Sequence, residues 1–150
     1  MLADYFLEKY GYDLDRQRVY ELILYHDLVE IYAGDVDLLH QTEEVKNSKQ
    51  EEEEKAAEKL REKLPSEISD KFYELFEEFE KKETKEAMFA KAVDALDAEI
   101  HELDYPEDWK EWSAEFLDGK KRKYFKEFPE LEEEFDKILC YLKENDYFGK

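Results

Sequence analysis

Apolar residues recur every three or four positions along most of this chain, the spacing of one face of a helix. No strand-like alternation bounded by hairpin turns occurs. Residues 2–10 form a short amphipathic helix with Gly11 as its stop. Asp13 or Asp15 is placed to cap the next helix, which carries Val19 through Asp27. Its near-continuous apolar character marks it as the central helix. Residues 28–33 continue as a short helix at a changed angle, ended by Gly34. Residues 36–50 are harder to read, but Glu43 through Leu64 reads as a long helix that Pro65 ends, with Ser66 capping the next. In 66–82 the residues Ile68, Phe72, Leu75, Phe76 and Phe79 form a core stripe. Thr84 can cap a helix over 85–103, with Glu86 in the first turn, where the helix dipole favours it. Met88, Phe89, Ala92, Val93, Leu96, Ile100 and Leu103 make its apolar face. Pro106 starts a helix carrying Trp109, Trp112 and Phe116 on one side. Pro129 opens the last helix, to about residue 144, with Leu131, Phe135, Ile138, Leu139 and Leu142 inward. The pattern predicts an all-α bundle of about six to eight helices.

With 150 residues, one domain spanning 1–150 is expected. Charged residues reach 44%, yet the apolar positions keep helical spacing, so the chain folds. A net charge of -20 excludes general binding to nucleic acid or an anionic membrane, because phosphate would be repelled. It does not exclude a small anionic substrate, since a bound metal reverses the local field. The basic run Lys120-Lys121-Arg122-Lys123 could attract a phosphate-bearing ligand or balance neighbouring acids; Glu51 to Glu54 reads as a solvated face. Cys140 is the only cysteine and reads as a small core residue, so no intrachain disulfide is expected. No apolar run is long enough to span a bilayer, and the N-terminus lacks a signal-peptide pattern. A cytoplasmic location is expected.

Candidate chemistry concentrates in Leu22 to Asp35. Three acidic residues and a histidine interrupt an apolar run there, in which Val19, Leu22, Ile23, Leu24, Leu28, Val29 and Ile31 imply burial. A buried carboxylate shifts its pKa, pairs, or binds a metal. Adjacent His26 and Asp27 can address one cation only if their helix ends or bends there. Glu30 lies one turn after His26, and Asp35 follows the helix-breaking Gly34. On the helix over 85–103, Ala87, Ala90, Asp94, Ala98 and His101 share a second face. Small residues around a carboxylate imply close packing, which marks Asp94 as a buried ligand; Asp97 lies between the two faces. His40 and His101 read as surface or structural histidines rather than ligands. The bland alternative for His26 and Asp27 is a satisfied polar pair without a metal.

His26-Asp27 followed by Leu-Val-Glu-Ile-Tyr-Ala-Gly-Asp resembles the signature of the HD-domain metal-dependent phosphohydrolases, in particular the 5'-deoxynucleotidase-like branch. The likeness covers residues 15–40, resumes at Ala90 to Asp97 and runs on weakly to Tyr105. It implies an HD-domain helical bundle with His26, Asp27 and Asp94 as metal ligands. Glu30 would orient a water or accept its proton, and Asp35 would help position or activate the nucleophile. The implied reaction takes a deoxynucleoside 5'-monophosphate to deoxynucleoside and phosphate. The implied cofactor is a divalent ion: Mn, Co, Fe or another first-row metal, or Mg. In that family a further metal-binding histidine lies one helix upstream, and a substrate-holding arginine lies beyond it. Here the first histidine is His26, and Leu2 to Leu7 resembles the last turns of the missing helix. The chain therefore reads as an N-terminally short member, and the apolar surface left behind implies a homodimer. A reading of a different class keeps the fold without the chemistry, as a helical interaction protein. A third keeps the chemistry on a cyclic or polyphosphorylated nucleotide.

Overall fold

The computed structural model describes residues 1–34 and 43–149, without the side chains of 43–48. Asp35 and His40 therefore lie outside the described residues. Helices α1 (Leu2–Tyr10) and α2 (Arg16–Tyr25) lead into a 3-10 turn (His26–Val29) and the short α3 (Glu30–Ala33). Long helices α4 (Glu43–Lys63), α5 (Ser66–Lys81) and α6 (Lys85–Glu102) follow. A 3-10 turn at Asp108–Glu111, α7 (Ala114–Lys121), a second at Arg122–Tyr124, and α8 (Pro129–Glu144) complete the chain. No strand occurs among the described residues, so the all-α expectation holds.

The helix ends follow local chemistry. Gly11 closes α1 at φ 65°, a left-handed conformation that glycine adopts without a Cβ penalty. The Asp15 carboxylate caps α2 by accepting from the Arg18 backbone N–H. Thr84 caps α6 through the Ala87 N–H, and Ser113 caps α7 through the Phe116 N–H. Pro129 stands at the first turn of α8. Two expectations need correction. Ser66 is the first residue of α5 rather than its cap, and its hydroxyl turns to Glu67. Pro106 opens a turn, not a helix: only a 3-10 turn carries Trp109, whose indole N–H donates to the Glu102 carbonyl.

Helix α6 sits at the centre, and not α2 as the apolar run through Val19 suggested, because α6 packs on both its faces. One face packs with α1, α7 and α8 in a core that includes Phe6, Phe89, Leu96, Leu117, Leu131 and Phe135. Its opposite face, Ala87 and Ala90, meets Leu22 of α2 and Leu75 and Phe79 of α5. Both alanines are fully buried. Their small side chains let α2 approach α6 closely, as the sequence pattern implied. A third cluster joins α4 and α5 through Ala57, Leu60, Phe72 and Phe76 to Val29. Not every apolar residue expected inside is there. Leu24 is 71% and Ile31 67% exposed, because each lies on the outer side of its turn. Ile68 and Ile100 are also exposed. Cys140 is exposed too, its thiol pointing to Glu144 one turn on, so it is not a core residue.

Ion pairs fasten the helices to one another. Arg18 on α2 donates through Nε to Glu78 Oε2 at 2.8 Å and through Nη2 to Glu74 Oε1 at 2.7 Å, both on α5. Arg122 reaches Asp118, Glu132 and Asp136 at 2.6, 2.9 and 2.6 Å, tying α7 to α8. Lys121 meets the buried Glu99 at 2.8 Å. Two members of the basic run thus do balance acids. Of the acidic run, Glu51, Glu52 and Glu54 are exposed as expected. Glu53 departs from that reading: its side chain is only 16% exposed and pairs with Lys49, and burial pushes its pKa up. No described helix is long and apolar enough to cross a membrane.

Candidate functional site

The α-helical winding of α2 stops at Tyr25, and the chain tightens into the 3-10 turn at His26. A 3-10 turn has about 3.0 residues per turn, so neighbouring side chains are redirected relative to an α-helix. This is the bend that sequence reasoning required, and His26 and Asp27 meet across it. His26 Nδ1 lies 2.9 Å from the Ile23 carbonyl oxygen. A carbonyl only accepts, so Nδ1 carries the hydrogen and donates it. Nε2 then faces Asp27 Oδ1 at 2.8 Å and, across the helix interface, Asp94 Oδ1 at 3.4 Å. Nε2 is fully buried and has no hydrogen bond of good geometry. The contacts are ion-pair distances that lie off the donor's line. Phe79 closes the site from α5, its ring centroid 4.5 Å from the imidazole.

Exposure is graded. The His26 side chain is 10% exposed, Asp94 30% and Asp27 63%, so the cluster opens to solvent on the Asp27 side. Burial lowers the His26 pKa, but Asp27 and Asp94 outweigh it and raise the imidazole to about 9. Burial raises the Asp94 pKa, but His26 and Lys91 prevail and hold the carboxyl well below the usual range. Lys91 Nζ donates to Asp94 Oδ2 at 2.7 Å. In its neutral form, His26 would turn a lone pair toward two carboxylate oxygens. Only a positive charge between the three relieves that repulsion: a proton on Nε2, or a cation in its place.

His26, Asp27 and Asp94, the three expected ligands, are therefore brought together. Among the described residues, no three or more His, Cys, Asp or Glu side chains already stand at cation-holding spacing. The fit to a divalent cation is thus one of donor chemistry. An imidazole nitrogen with its tautomer fixed and two carboxylate oxygens suit a first-row ion. Glu30 begins α3, half-buried, one turn beyond His26. Asp35 lies outside the described residues. Asp97 is exposed, and His101 is exposed beside the Tyr105 ring, so neither joins the site. Sequence reasoning missed Lys91 and Phe79. The i,i+3 spacing of Lys91 and Asp94 carried a signal for the first. Nothing local marked Phe79 as other than core.

A family model of the HD domain matches residues 1–132. No curated protein matches the chain in sequence. Among solved structures, a predicted metal-dependent phosphohydrolase from Magnetospirillum magnetotacticum MS-1 superposes with a TM-score of 0.80 at 25% identity, over 99% of this chain and 78% of that one. The match takes in both halves of the cluster, the His-Asp pair at the end of α2 and the aspartate of α6, and the chain belongs to the HD-domain family.

Proposed function

We propose that this protein is a divalent-metal-dependent phosphohydrolase that takes deoxynucleoside 5'-monophosphates to deoxynucleoside and phosphate. One observation carries the reading: a buried Nε2 without a hydrogen bond of good geometry, on a histidine whose Nδ1 is held by the Ile23 carbonyl, facing two carboxylates. Such a donor set calls for a cation, and the structural relative is described as metal-dependent. His26, Asp27 and Asp94 would hold the ion. It would supply the positive charge that polarises a phosphate ester and acidifies a water. The Ile23 carbonyl keeps the imidazole turned to the site, and Lys91 holds Asp94 in its ionised form. Phe79 shuts water out from the α5 side. Glu30 is assigned the proton of the attacking water, and Asp35 the positioning of that water. Attack forms one P–O bond, the ester P–O bond breaks, and the proton ends on the departing 5'-oxygen. A cytoplasmic homodimer belongs to the same proposal.

Phosphate release from deoxynucleoside 5'-monophosphates with Mn or Co present, beside the Asp27→Ala variant, tests it. Release by the native chain and none by the variant is expected. No release by either would leave the second reading, a helical interaction protein with an incomplete site. That reading is favoured by Lys91, which occupies the second oxygen of Asp94.

A further inference from the structure

Beyond Asp94, the other side of Lys91 faces a recess of about 400 Å3 between α4, α5, α6 and α7. Six lysines line it: Lys49, Lys82, Lys91, Lys120, Lys121 and Lys123. The whole chain has 23 lysines and arginines against 43 acids, so this convergence runs against the composition. The recess holds two carboxylates of its own, Glu53 and Glu80, which also line it. Some of the charge is already committed. Lys49 pairs with Glu53 at 3.5 Å, Lys82 with Glu80 at 3.9 Å, Lys91 with Asp94 and Lys121 with Glu99 at 2.8 Å. Lys120 and Lys123 are different. Among the described residues neither makes an ion pair; their ammonium groups lie 5.2 Å from the Phe116 ring and 4.8 Å from the Tyr124 ring. Backbone geometry also converges here, since Lys82 adopts a left-handed φ of 52° at the end of α5. Lys82 is the residue that closes α5, its backbone N–H donating to the Glu78 carbonyl.

We propose that this lysine-lined recess is a binding site for a small anion carrying one phosphate group, separate from the His26–Asp94 cluster and sharing Lys91 as a wall. Charge decides the class. A single phosphate carries about two negative charges and would be matched by two lysines. Four of the six ammonium groups are committed, to Glu53, Glu80, Asp94 and Glu99, so Lys120 and Lys123 leave an excess of two charges, the match for one phosphate group. Size decides against a macromolecule: a recess of about 400 Å3 suits a small molecule, and the chain's net charge of -20 repels a long polyanion or an anionic bilayer. The proposal does not rest on the phosphohydrolase reading, because binding here needs neither the metal nor turnover.

Calorimetric titration of the full chain without added metal, at matched ionic strength, tests it. Orthophosphate is expected to bind saturably at one site per chain, and an uncharged phosphate triester not to bind, as charge complementarity at a concave site requires. Lys120→Gln combined with Lys123→Gln should weaken orthophosphate about tenfold or more, since both uncommitted charges go while the pairs to Glu53, Glu80, Asp94 and Glu99 stay. The control pair Lys137→Gln with Lys143→Gln, on the exposed side of α8, should leave it unchanged. Asp27→Ala should also leave it unchanged while abolishing hydrolysis, which separates this site from the catalytic reading. No saturable orthophosphate binding, an unaffected Lys120/Lys123 variant that is folded by circular dichroism, or tighter binding of a short single-stranded oligonucleotide would each overturn the proposal.

Discussion

Metal and proton should compete for one atom, His26 Nε2, and the competition has a computable size. The perturbation is pH. Asp27 and Asp94 hold the imidazole near pKa 9, so at neutral pH the proton occupies Nε2 in nearly every molecule. A divalent ion must displace it. Between pH 6 and pH 8 the unprotonated fraction rises about ninetyfold for a pKa near 9, and apparent metal affinity should rise with it. An ordinary imidazole near 6.5 would give only about fourfold over the same range. Isothermal titration with Mn2+ in non-coordinating buffers measures the affinity. Repeating it in buffers of different ionisation enthalpy measures the protons released, expected to be about one per ion at pH 7. A rise of fourfold or less, with only a fraction of a proton released, would refute the reasoning. It would mean that Nε2 carries no proton between those carboxylates, or that the ion binds elsewhere.

The same ion triad sets stability in the metal-free protein. The folded His26 pKa is raised, so its contribution is complete below about pH 6.5 and is lost as pH climbs through about 9. Its size is on the order of 3 kcal/mol at most for a side chain this buried, and thermal unfolding at pH 6.5 and 9.5 should show the drop; equal midpoints after correction for other groups, judged against His26→Gln, would contradict it. Leu22→Ala should cost about 2–5 kcal/mol by denaturant unfolding, because Leu22 is fully buried where α2, α5 and α6 meet. Ala90→Leu should do less to stability, about 1–3 kcal/mol, yet weaken Mn2+ binding by pushing Asp94 away from His26; unchanged affinity would show that the α2–α6 spacing does not set the site. Lys91→Gln should tighten Mn2+ binding several-fold, since the ammonium on Asp94 Oδ2 opposes an incoming cation; weaker binding would show that Lys91 orients Asp94 more than it competes.

Most of the fold was legible because the signals that shape a helix are local. Gly11, Asp15, Thr84 and Pro129 each bound a helix where the sequence placed the boundary, by backbone conformation or a side-chain cap within three residues. The misreadings come from places where tertiary context decides. Leu24 and Ile31 belong to an apolar run, but a run longer than the helix's buried stripe must leave some members outside. Cys140 stands among core residues in sequence and on the outer face in space, because α8 buries only Leu131, Phe135, Ile138, Leu139 and Leu142. Pro106 was read as a helix start from its residue type, while the Trp109 indole, bonded back to Glu102, folds that segment into a turn.

The site shows where local reading stops. The pair His26-Asp27 and the alanine-flanked Asp94 were both visible, since burial of a carboxylate among apolar or small residues is itself a sequence pattern. That Asp94 faces His26 at 3.4 Å was not visible, because it depends on how closely two helices approach. Ala87 and Ala90 fix that approach, and the switch to 3-10 winding at His26 fixes the direction. Lys91 and the recess behind it were further from reach. Their lysines come from four separate stretches, at 49, 82, 91 and 120–123, and only the last carries a signal in sequence, for a phosphate-bearing ligand or for balancing acids. Lys121 and Arg122 do balance acids, whereas Lys120 and Lys123 stand without an ion pair among the described residues. Charge in sequence is counted along the chain, whereas a small anion responds to charge gathered in space. A strongly acidic protein can therefore hold one concentrated positive pocket, and the surrounding negative charge would then favour compact ligands over extended ones.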